Sequence, residues 1–99
     1  MSSKDWRTAV DRRIETNPYD NRFRINGFNV YSTYSPWFHA GQVRIPSKDV
    51  VVRLRRLRGG GRHNLWYNDN HIGSASTNFR KAIKKALIMA ILFAETNNG

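Results

Sequence analysis

Five arginines, Arg53, Arg55, Arg56, Arg58 and Arg62, lie within ten positions, with Gly59-Gly60-Gly61 among them. Trp66 and Tyr67 follow, set between asparagines and the histidines His63 and His71. A guanidinium is a planar fork of donors that matches the oxygens of phosphate or carboxylate two at a time. Carried on a two-stranded ribbon, such groups reach phosphates or guanine edges in a major groove. The glycines let backbone approach a partner closely. They form neither a GxGxxG nor a P-loop fingerprint, so a nucleotide cofactor is not implied. A solvated basic face with no partner is the competing reading.

The charge of the whole chain favours a polyanion. Seventeen Lys and Arg stand against seven Asp and Glu, a net +10, and 12 of the 17 are Arg. Arg exceeds Lys where planar recognition matters, whereas Lys is the commoner choice for plain solubility. The first 20 residues are balanced, with Asp5, Asp11, Glu15 and Asp20 against Lys4, Arg7, Arg12 and Arg13. From Val50 to Ala94 there are nine bases and one acid, Asp69. One strongly positive side is expected, to which Arg44 also belongs.

Arg80, Lys81, Lys84 and Lys85 add a second group. They open the last helical pattern, where the helix dipole favours acids and disfavours bases. An external anion there would offset the mismatch. Trp66 and Tyr67 are adjacent, so in a strand they point to opposite faces and one of them is exposed. Trp37-Phe38, between Pro36 and Gly41, is the better pair for contact from a loop.

Catalysis finds little support. His39, His63 and His71 are the only histidines, and few carboxylates are there to assist them. His63, Asn68 and His71 spell an HNH pattern, but the spacing is too short for a hairpin followed by a metal-binding helix. Cysteine is absent, so there is no disulfide or thiolate metal site. No nucleophile–base pair stands out, and no cofactor is expected.

The elements that must position these side chains read as α+β. Trp6, Ala9, Val10 and Ile14 fall at helical spacing over residues 4 to 16, with Ser2 or Ser3 as cap, and Asn17-Pro18 stops the helix. Asn26-Gly27 suits a type I′ turn. It sets Ile25 opposite Phe28 and Phe23 opposite Val30, with Arg24 and Asn29 on the other face. Residues 35 to 41 read as a loop. Residues 41 to 46 read as a short edge strand closed by Pro46. Val50, Val52 and Leu54 alternate with Val51, Arg53 and Arg55 in a clear strand. His63 to Tyr67 return as the next strand, and Asn68-Asp69-Asn70 turn again. An antiparallel sheet of four or five strands over residues 22 to 73 is expected.

Phe79, Ala82, Ile83, Ala86, Leu87, Ala90, Ile91 and Ala94 then form an apolar stripe, so a helix over 77 to 95 packs on the sheet. Ser76, Thr77 or Asn78 caps it. Ile88, Met89, Leu92 and Phe93 make its second half apolar nearly all round. Such a helix is buried on two sides, between sheet and first helix or in a homodimer. One domain, 1–99, accounts for the length.

The stretch NLWYNDNHIGSASTNFRKAIKKAL resembles the third strand and following helix of AP2-like and integrase-arm DNA-binding domains. His71-Ile72-Gly73-Ser74 and Ala82 through Ala94 stand where those domains have a glycine turn and an Ala-rich helix. The resemblance implies a three-stranded sheet on a helix, with the sheet in the major groove and Arg53, Arg55 and Trp66 as contacts. The opening strand motif of that family is not visible. IGSASTNFRK is also similar to the YIG half of GIY-YIG nucleases. The GIY half is missing and His71 replaces the tyrosine, so that activity is not carried over.

The expected function is therefore non-catalytic nucleic-acid binding, with DNA favoured over RNA and duplex DNA first. Its contacts are Arg44, Arg53, Arg55, Arg56, Arg58, Arg62, Trp66, Arg80, Lys81, Lys84 and Lys85. The alternative is a small interaction protein, of the kind phages encode, that binds and inhibits an acidic host protein or nucleoprotein complex. The chain shows no signal-like apolar run, and Ala86 to Ala94 is too short to span a bilayer. A cytoplasmic setting, in a bacterium or phage-infected cell, and no membrane partner are expected. Monomer and homodimer both remain open.

Overall fold

The computed structural model describes residues 3–57 and 60–97. Helix α1 (Ser3–Thr16) is followed by strands β1 (Asp20–Ile25), β2 (Phe28–Ser35) and β3 (Ala40–Ile45). A 3-10 turn, Pro46–Lys48, leads to β4 (Val50–Arg56), β5 (His63–Tyr67), β6 (Asn70–Ser74) and helix α2 (Phe79–Thr96). The strands form one antiparallel sheet in sequence order, β1 to β6. No helix among the described residues is long and apolar enough to cross a membrane.

Turn chemistry sets the register. Asn26 and Gly27 both have positive φ, 50° and 83°, which the type I′ hairpin requires. Ile25 accordingly faces Phe28, Phe23 faces Val30, and Arg24 faces Asn29. Asn68 and Asp69, at φ 47° and 72°, make the same kind of turn between β5 and β6.

The sheet has six strands rather than four or five. The sixth, Asn70–Ser74, has no clean alternation of exposed and buried residues, because it is an edge with a ladder on one side and an irregular register against Leu65/Trp66. The expected edge strand before Pro46 is instead interior. It runs Ala40–Ile45 and pairs with β2 on one side and β4 on the other. Pro46 falls just beyond it, at the start of the 3-10 turn, so no ladder donor is lost. Asn78 supplies the cap of α2, accepting from the backbone N–H groups of Arg80 and Lys81. Ser3 is already helical in α1, and Ser2 lies outside the described residues.

Two layers result. The inner face of the sheet presents Ile25, Val30, Val43, Ile45, Val50, Val52, Leu54 and Leu65, all buried. The stripe of α2 from Ala82 to Ala94 packs on it, and Trp6, Val10 and Ile14 of α1 close the same cluster. Ile88, Met89 and Phe93 pack against that core as well, so the second apolar side of α2 is largely used within the chain. Leu92 stays exposed. Full burial of each large aliphatic side chain contributes about 1.5–3 kcal/mol. Tyr67 stacks on Phe93, with centroids 4.1 Å apart and planes within 5°. That fixes Tyr67 inward and Trp66 outward.

Candidate nucleic-acid interface

Both helices lie on one side, so the other face of the sheet is uncovered. Strand alternation decides what it carries. On β1 it presents Asp20, Arg22 and Arg24, and on β2 it presents Asn29, Tyr31, Thr33 and Ser35. Ala40, Gln42 and Arg44 follow on β3, then Val51, Arg53 and Arg55 on β4. Asn64 and Trp66 on β5 and His71 on β6 complete it. Five arginines thus share a face whose only strand carboxylate is Asp20, at its corner.

The arginines are held by cross-strand neighbours. The Arg44 guanidinium lies 5.4 Å from the ring centroid of Tyr31, its ladder partner. Arg24 donates to Asn29 at 3.2 Å. Arg53 stands opposite Trp66 and donates through Nη2 to Asp69 Oδ1 at 2.6 Å. Trp66 is buttressed by His71, with ring centroids 5.7 Å apart in an edge arrangement. His71 Nε2 in turn lies 3.2 Å from Asn64 Oδ1.

Between these side chains the sheet is low. Ala40 and Gly41 leave a depression of about 340 Å3 that Arg53, Arg55 and Trp66 border. A second depression, about 440 Å3, lies on the other side of Arg53, against Gln42, Val51, Asn68 and Asp69. Gly41 is required there for packing on the inner face. A Cβ would sit 2.3 Å from the Thr33 carbonyl oxygen and 2.9 Å from Tyr34 Cδ1.

The other expected contact residues do not join this face. Arg56 follows the period of Val52 and Leu54 and turns inward, opposite His63. Arg62 is exposed in the loop before β5 and donates through Nε to Ser74 Oγ at 3.1 Å. Arg58 lies outside the described residues. Arg80, Lys81, Lys84 and Lys85 sit in the helical layer. The Arg80 guanidinium covers the Phe79 ring at 4.8 Å. Lys84 pairs with Glu15 of α1, and the ammonium holds that carboxyl below the usual carboxylate range through the hydrogen bond and charge. Lys85 donates to the Ser74 carbonyl at 3.1 Å. Asn78 Oδ1 accepts from two of the first N–H groups of α2, those of Arg80 and Lys81.

Arg22 and Arg24 are the functional candidates that charge density along the chain misses. They lie far in sequence from the Arg53–Arg62 run, and only the sheet order brings these two onto the face of Arg53. The usable signal is the alternation at the Asn26-Gly27 hairpin, which puts Arg22 and Arg24 on one side.

Trp37 and Phe38 occupy the turn between β2 and β3 and are 87% and 75% exposed. Leu57, 60% exposed, follows β4 at the same end of the sheet. Among the described residues, no three His, Cys, Asp or Glu side chains converge into a set that could hold a metal ion. Comparison of the chain with protein-family models, with curated proteins and with solved structures finds no match in any of the three.

Proposed function

We propose that the chain is a non-catalytic DNA-binding protein that lays the open face of its sheet along the phosphate backbone of a duplex. The observation that carries this reading is the gathering of Arg22, Arg24, Arg44, Arg53 and Arg55 on one uncovered face. An antiparallel sheet commonly leaves one face to water. A face left to water alone is normally a mixture of both charge signs. Five like charges repel one another, and a polyanion turns that repulsion into attraction. Neutralised phosphates then supply most of the affinity, and Trp66 adds a contact to a sugar or base. The resemblance to AP2-like domains favours the same face, since their sheet enters the major groove.

The test is fluorescence anisotropy with labelled duplex DNA, single-stranded DNA and duplex RNA at about 50 and 200 mM salt. If each of the five arginines holds one phosphate, duplex DNA affinity falls by about two to three orders of magnitude across that range. No binding at the lower salt defeats the reading.

One observation favours a second reading, an interaction module that inhibits an acidic protein. Trp37, Phe38 and Leu57 are exposed at one end of the sheet, and aromatics beside arginines are the residue types of interface hot spots. Saturable binding to a single protein, with weak and non-saturable binding to DNA, would select it.

A further inference from the structure

At the end of the sheet that carries the β2–β3 turn, a half-open cavity of about 180 Å3 lies between the strands and the segment entering α2. Tyr19 and Phe79 line it together with Tyr34, His39, Arg56, His63 and Thr77.

Arg56 is the cation at this cavity. Strand alternation sends it inward, and its Nε is buried with no hydrogen-bond partner. No described carboxylate pairs with Arg56 and none lines the cavity. A buried guanidinium N–H left without an acceptor is costly, and an anion in the cavity would supply an acceptor that the described residues do not. His39 is tied to the same spot, because the Arg56 N–H donates to its carbonyl at 2.8 Å.

The remaining wall is polar and hydrogen-bonded. His63 is 1% exposed. Its Nδ1 lies 2.9 Å from the Ser76 carbonyl, so Nδ1 carries the proton. Nε2 then accepts from the Tyr34 hydroxyl at 2.7 Å. Burial pushes the His63 pKa down, the hydrogen bond to Ser76 opposes it in part, and Arg56 and His39 add to the lowering. The rings of Tyr19 and Phe79 are parallel within 9°, with centroids 6.1 Å apart, at the exposed rim.

We propose that this cavity binds the terminal phosphate monoester of a nucleic-acid strand, with Arg56 and His39 on the phosphate and the Tyr19–Phe79 stack against the terminal sugar or base. Arginine with a flanking imidazole suits a dianionic monoester, and aromatic rings suit the nucleoside that carries it. The site shares no residue with the arginines of the open face, so it stands or falls apart from the duplex reading.

The experiment is backbone amide NMR of the whole chain with inorganic phosphate, adenosine, 5′-AMP and 3′-AMP. Shifts at Arg56, His63, Thr77 and Phe79 are expected with a mononucleotide, weaker ones with phosphate and none with adenosine. Arg56→Gln and, separately, His39→Asn should each weaken mononucleotide binding by about tenfold or more, with dispersed spectra showing that the fold persists. Arg53→Glu with Arg55→Glu should leave these shifts in place even if duplex affinity is lost. Oligonucleotides ending in 5′-phosphate, 3′-phosphate or hydroxyl groups then separate strand ends from free nucleotides. Tighter binding of one phosphorylated strand, lost in Arg56→Gln, supports the proposal. Equal binding of all three strands, equal shifts with adenosine, or no response at these residues overturns it.

Discussion

Arg53 faces Trp66 directly across the β4–β5 ladder, and the same guanidinium reaches Asp69 in the turn beyond. The cation at the centre of the open face is therefore already engaged by a carboxylate that competes with any phosphate. The pair is solvent-facing, with side chains 51% and 85% exposed, so its own worth to folding is small.

Asp69→Asn should therefore strengthen DNA binding by about two- to fivefold at low salt, with the gain shrinking as salt screens the face. Anisotropy titrations of the variant at two salt concentrations check this. Stability should change by less than about 1 kcal/mol.

Stability should fall with acid because of His63. Its pKa is lowered in the folded chain, first by burial, against an ordinary value of 6.5. The groups facing it are Tyr34 from β2, His39 from the turn after it, Arg56 from β4 and the Ser76 carbonyl before α2. Above 6.5 neither state is protonated and the contribution of the buried neutral ring is complete. As pH drops through 6.5, the unfolded chain binds a proton that the folded chain resists, and stability is lost. Thermal melts at about pH 7.5 and 5.5 should show a lower Tm at the acid value, and His63→Gln should show a smaller difference between the two.

Ser32 is fully buried on the inner face, and its hydroxyl has no partner. An unsatisfied buried hydroxyl is costly, and alanine nearly preserves the shape. Ser32→Ala should raise unfolding stability by about 1 kcal/mol in a denaturant titration.

Gly41 should tolerate no side chain. The Cβ of alanine meets backbone at Thr33, which cannot swing aside as a side chain would. Gly41→Ala should cost about 2 kcal/mol or more, read from the same titration.

What the sequence discloses follows the range of the interactions concerned. The Asn26-Gly27 hairpin and the α2 stripe depend on neighbours within a few positions, and both are found as expected. That Tyr67 and Trp66 take opposite faces follows from period two; the stack on Phe93 decides that Tyr67 is the inward one. The place of residues 40 to 45 inside the sheet depends on two partner strands, so small residues beside a proline look like an edge. The sixth strand hides because Asn70–Ser74 is a true edge with an irregular register and has little to bury. For the site, Arg53 and Arg55 are legible from alternation. Arg22 and Arg24 join them only through the order of the strands. Lys84 is set apart by Glu15, 69 residues away, a pairing that no local pattern announces.

The most direct test compares two groups of cations on opposite layers. Arg44, Arg53 and Arg55 would be changed together to Gln on the open face, and Lys81, Lys84 and Lys85 to Gln on α2. Duplex DNA affinity would be measured against salt for each. The open-face variant should lose about three units of the logarithmic salt slope and most of its affinity, while the helix variant keeps nearly all of both. An unchanged slope in the open-face variant, or an equal loss in the helix variant, would contradict the assignment of DNA binding to the open face of the sheet.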